Sequence, residues 1–151
     1  MDQKLADLVQ KKQKQLSAGD GVDWDDRRDK YVAAVNALYE QMQGMLAEAI
    51  GQNSVSLQRR EKQLSESYIG TYAIEDLILR IGDEQVRFSP RGRNIAGAEG
   101  RIDVVGERGE AILILRDDSG WGFVQSRQPK VTVVPFDEST LAEVLRLVMR
   151  D

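Results

Sequence analysis

Hydrophobic and polar positions along the chain follow two rhythms, and the change falls near residue 52. Before it, apolar residues recur at helical spacing. Trp24, Tyr31, Leu38 and Met45 stand seven apart, as do Val35, Met42 and Ala49, while Val32, Tyr39 and Leu46 form a third row. These rows fill an arc of about 100°, the width of a stripe that faces a core. The pattern predicts one long amphipathic helix, capped by Asp23 and running to about Ile50 ahead of Gly51. An earlier helix over about residues 2–17 has a thinner stripe, Leu5, Leu8, Val9 and Leu16. Its Asp2 and Asp7 come early and Lys11, Lys12 and Lys14 late, the order that the helix dipole favours. A helix of about 40 Å is longer than a small sheet needs. The expectation is a helical hairpin, or a second copy of the chain, that covers the excess.

After residue 52 the period shortens towards two. Short β-branched runs alternate with Gly and Asp turns: Tyr72 to Ile74, Leu77 to Ile81, Gln85 to Phe88, Arg101 to Val105, Ala111 to Leu115, Trp121 to Val124 and Val131 to Val134. Tight turns of this kind join antiparallel strands, because parallel strands need longer crossovers. Residues 53–67 fit either strand or helix, and Glu75-Asp76 fits a bulge. The unbroken apolar run 111–115 reads as a central strand buried on both faces. Leu141, Val144, Leu145 and Val148 then fall at i, i+3, i+4, i+7, a C-terminal amphipathic helix. Thr140 with Glu143 forms a capping box, with Asp137 as the rival cap. The fold class is α+β: an N-terminal helical hairpin (1–51), then an antiparallel meander of five to seven strands with a C-terminal helix packed on it (52–151).

Composition narrows the chemistry. The chain has 151 residues with neither cysteine nor histidine. Disulfides, thiol nucleophiles, imidazole bases and the usual zinc or copper ligands are therefore absent. Twenty-one basic against 25 acidic residues leave a net charge of −4, which disfavours a dedicated nucleic-acid binder but leaves room for a local basic patch. No apolar run approaches the length of a membrane span, and the first residues lack the pattern of a secretory signal, so a bacterial-type cytoplasmic protein is expected.

The remaining clusters offer little catalysis. Asp20, Asp23, Asp25, Asp26 and Asp29 crowd together, but the twelfth position of a calcium loop would be Tyr31 or Ala34 instead of Glu. Helix capping accounts for them. Asp103 and the strand after it resemble in outline the metal-holding core of restriction-type nucleases. The positions that would supply its Glu-x-Lys pair are Ile114 and Arg116, so the carboxylate and the lysine are both missing. The connection 87–101 is rich in Gly and carries Arg87, Arg91, Arg93 and Arg101, a set suited to carboxylate or phosphate. It lacks the Gly-Lys-Ser/Thr of a phosphate-binding loop.

These readings predict a non-enzymatic interaction or assembly module with no cofactor and no metal. Self-association or a protein partner would engage the N-terminal helices through Trp24, Tyr31, Leu38, Met42 and Met45. The alternative is an anion or nucleic-acid site at Arg87, Arg91, Arg93 and Arg101.

Overall fold

A computed structural model describes residues 3–16, 23–92, 99–116, 120–128 and 130–150. Three helices come first: α1 (Gln3–Leu16), α2 (Trp24–Met45) and α3 (Ala47–Gly51). Seven strands follow: β1 (Val55–Glu66), β2 (Gly70–Ile81), β3 (Glu84–Gly92), β4 (Gly100–Val105), β5 (Glu110–Arg116), β6 (Gly120–Ser126) and β7 (Thr132–Pro135). Helix α4 (Glu138–Val148) ends the described chain. The strands lie in chain order in one antiparallel sheet, so the architecture is α+β around a simple meander. Among the described residues no helix is long and apolar enough to cross a membrane.

Local chemistry explains the helix starts. Asp23 accepts a 2.9 Å bond from the Asp26 N–H and caps α2, as its sequence predicts. Asp137 caps α4, accepting from the Thr140 N–H at 2.8 Å and from its Oγ at 3.0 Å. These bonds also hold the Asp137 carboxyl below its usual pKa. The expected Thr140–Glu143 capping box does not form, because Thr140 is spent on Asp137 and Glu143 accepts from Gln125 across to β6. The long helix also stops sooner than expected. It breaks at Leu46, and the short α3 redirects the chain into β1. Residues 55–66 resolve the strand-or-helix ambiguity as strand.

Strand alternation gives the sheet two unlike faces. Phe88, Val104, Ala111 and Leu79 share the inner face, as do Ile102, Leu113 and Phe123. Helices α2 and α4 both lie on this side. A Cβ on Gly100 would sit 2.4 Å from the Tyr31 ring of α2, and one on Gly106, three steps of alternation further on, would meet the Val148 carbonyl of α4 at 2.3 Å. The core is one cluster made by α2, the inner sheet face and α4.

The sheet curls around α2. Arg59 of β1 bonds Asn36 at 3.2 Å, and the Trp121 indole of β6 donates to the Ala34 carbonyl at 3.0 Å. Residues two apart lie about 200° apart around a helix, so strands near opposite edges of the sheet grip opposite flanks. Tyrosines fix the helix in register. Tyr31 donates to the Arg101 carbonyl at 2.7 Å and accepts from the Gly92 N–H at 3.1 Å, while Tyr39 donates to the Glu75 carbonyl at 2.7 Å.

Two strands depart from the sequence pattern. At Glu75-Asp76 no bulge occurs, since β1 and β2 stay in register throughout. Instead the burial changes parity there: Tyr72 and Ile74 belong to the same core as Leu77 and Leu79. The strand must turn about its own axis, as strongly coiled hairpins do. The second departure concerns the strand buried on both faces. In β5 only Ala111 and Leu113 are buried, while Ile112 and Ile114 face outward and are half-buried, because α2 and α4 both lie on the other side. The doubly buried segment is Asp76–Leu79 of β2. There Ile78 points outward, yet is fully buried beside Gln58 and Arg87, whose aliphatic stems can cover it.

Candidate functional site

The residues expected to bind a partner are mostly engaged within the chain. Tyr31, Leu38 and Met42 are at most 1% exposed under the curled sheet. Met45 packs against the same core at its margin. Trp24 stacks on Tyr68 at the tip of the β1–β2 hairpin, with ring centroids 5.4 Å apart, and Arg27 lies over its ring. The broad stripe of α2 is thus covered by sheet and hairpin. Helix α1 differs: Leu5 and Leu8 are each 50% exposed and Val9 is 41% exposed.

The acidic cluster at the start of α2 behaves as a capped and ion-paired first turn. Arg28 bonds Asp29 at 3.0 Å and Asp25 at 3.4 Å, and Lys30 pairs with Asp26 at 3.1 Å. Asp20 lies outside the described residues. Among the described residues, no group of three or more carboxylates could hold a metal ion.

The four arginines of the 87–101 segment meet different fates. Arg93 lies outside the described residues. Arg91 and Arg101 flank one carboxylate, Asp103, at 3.5 and 2.6 Å. Arg87 is exposed and forms no ion pair among the described residues. All three belong to the outer face of the sheet, since Arg87 pairs with Val105 and Arg101 with Ile114. Of the Arg59-Arg60 pair, only Arg60 joins them. It stands opposite Asp76 on the outer face, while Arg59 turns inward to lie over Tyr39.

A polar trio that the sequence reading missed sits on the same outer face. Lys62 donates to the Ser89 Oγ at 2.7 Å and lies 2.7 Å from the Asp76 carboxylate. Ser89 and Asp76 are buried, at 7% and 8% exposure. A serine beside a lysine is a familiar nucleophile–base pairing. Here the amine donates to the serine oxygen and faces the carboxylate, the geometry of an ion-paired anchor instead of a base that accepts the serine proton. The trio is an anchor between β1, β2 and β3. Its members are far apart in sequence, and only writing the three strands in register would reveal it.

In full, the outer face carries Arg60, Lys62, Arg80, Arg87, Arg91, Arg101 and Arg116 against Asp76, Asp103 and Glu110. A chain of net charge −4 therefore presents one basic face. Concavities are small by comparison. One cleft of about 160 Å³ lies between Tyr39, Ile50, Leu57 and Leu77, and another of about 320 Å³ between Val32, Asn36 and Tyr72. Neither gathers convergent catalytic groups. The buried tyrosine hydroxyls are not poised for proton transfer either, since burial pushes both Tyr31 and Tyr39 well above the ordinary tyrosine range.

Compared with protein-family models, curated proteins and solved structures, the chain matches none of them.

Proposed function

We propose that the protein is a non-enzymatic assembly module that self-associates through its N-terminal helical segment, with α1 as the contact element. One observation carries this reading: α1 leaves Leu5, Leu8 and Val9 exposed along one stripe, whereas the larger stripe of α2 is already used by the sheet. A helix of 14 residues with so thin a stripe is marginal alone in water and gains order by packing. The natural occupant is α1 of a second copy. In sequence Asp7 precedes Lys11, Lys12 and Lys14, an order of charge that antiparallel pairing of two copies would complement.

Light scattering on the whole chain over a concentration series tests this. Wild type should move from 17.0 kDa towards twice that mass as concentration rises. The double variant Leu5→Asp/Leu8→Asp should stay monomeric with an unchanged melting temperature. A wild-type chain that is monomeric throughout, or a double variant that still dimerises, would overturn the reading.

A further inference from the structure

A second surface points to a different kind of partner. Over β1 to β3, the outer face of the sheet holds three arginines with no carboxylate partner among the described residues. Arg60 and Arg87 are exposed and unpaired there, and Arg80 donates to the Gln58 amide oxygen at 2.9 Å. The carboxylates around them are engaged elsewhere. Asp76, opposite Arg60, lies 2.7 Å from the Lys62 amine; Asp103 lies 2.6 Å from Arg101; and Asp83 of the β2–β3 turn lies 2.9 Å from Arg150. Glu61 follows Arg60 but belongs to the other face, opposite Glu75. Strand register sets the three arginines around Ile78. Arg87 stands directly opposite it, Arg80 is two residues along β2, and Arg60 faces Asp76 two residues the other way. Diagonal neighbours such as Arg80 and Arg87 stand about 7–8 Å apart, so the charges are spread over a surface instead of converging in a pocket.

We infer that this part of the outer face binds the phosphate backbone of duplex nucleic acid, independently of its sequence. Two observations select that occupant. Spread cations suit a ligand whose charges repeat along its length, and a single small anion would reach one of them at a time. The patch also offers no apolar anchor, since Ile78 at its centre is fully buried, so a protein partner would find no hydrophobic core for an interface. A phosphate backbone needs none. Guanidinium forks bind its oxygens bidentately, and the exposed amides of Gln58 and Gln85 add neutral hydrogen bonds. Single strands are less well served, because they are held by stacking on aromatic side chains, and Tyr72 and Phe88 both belong to the inner core. The net charge of −4 opposes binding weakly, since charges beyond about 8 Å are largely screened at physiological salt.

The test uses the full chain and a fluorescent DNA duplex of mixed sequence, with unlabelled duplex, its single strand and poly-glutamate as competitors. Binding should tighten about fortyfold as salt falls from about 200 to about 50 mM, the slope of three phosphate contacts. Arg60→Gln and Arg87→Gln should each reduce that gain to about tenfold, one contact fewer, with the melting temperature unchanged. Arg146→Gln removes the same charge from α4, on the other side of the sheet, and should leave the slope as it is. The single strand and poly-glutamate should compete more weakly than the duplex. Competition by either that equals the duplex would overturn the proposal. So would no binding at low salt, or a slope that Arg60→Gln and Arg87→Gln leave unchanged.

Discussion

Two amphipathic helices precede the sheet, and they end in opposite circumstances. Helix α2 has the broader stripe and is gripped on both flanks by a curling sheet, so that Val35 and Met42 are wholly buried. Helix α1 has the thinner stripe and keeps half of Leu5 and Leu8 in water. Both read as candidate contact surfaces in sequence, because periodicity reports that a face is apolar without reporting what covers it. The breadth of the stripe was the informative quantity. A wide arc with aromatic residues at its centre suits the concave side of a curved sheet, while a narrow one suits a single neighbouring helix.

The sharpest way to break this comparison is to truncate one leucine of the apolar stripe in each helix. Leu38→Ala should cost about 2–5 kcal/mol of stability, since the site cannot collapse under the sheet. Leu8→Ala in α1 should stay within about 0.5 kcal/mol at concentrations where the chain is monomeric. Urea unfolding followed by circular dichroism measures both. Equal effects would mean that the two helices are packed alike.

Next in size is an alkaline effect that belongs to α2 alone. Burial raises the hydroxyl pKa of Tyr31 and Tyr39, so the unfolded chain ionises first, at about pH 10. Their contribution is complete below that pH and declines above it, by about 1.4 kcal/mol per pH unit for each phenol. Thermal melts from pH 8 to pH 12 should show a steep fall beginning at about pH 10, the middle of that range. A flat profile would place the two phenols in water.

Tyr31→Phe is a smaller change at the same place. It leaves the Gly92 N–H and the Arg101 carbonyl without their partner, which should cost about 1–3 kcal/mol while the aromatic packing persists. An unaffected midpoint would show that another group takes over both bonds. Smallest is the cap. Asp23→Ala should cost about 1 kcal/mol through the lost bond to Asp26, and Asp23→Asn should recover most of it.

Much of this architecture was legible in the residues. The cap at Asp23, the Gly-and-Asp turns that separate the strands and the i, i+3, i+4, i+7 spacing of α4 are local signals, set by preferences within a few residues. What stayed hidden depends on contacts across the chain. The parity change at Glu75-Asp76 follows from coiling of a long hairpin, so simple alternation misplaces Tyr72 and Ile74. Gly100 looks like a turn residue, yet it gives Tyr31, nearly seventy positions away, room to lie flat on β4. The Lys62–Asp76–Ser89 anchor and the basic outer face likewise appear only when strands are set in register. Arg59 and Arg60 show how fine the distinction is: adjacent in sequence, they stand on opposite faces of the sheet.

Hydrogen exchange of the full chain at low and high protein concentration tests the contrast most directly. The amides of α2 should be protected near the global limit at both concentrations. Those of α1 should exchange quickly when dilute and become protected as concentration rises. Protection of α1 that is independent of concentration, or rapid exchange in α2, would contradict the account.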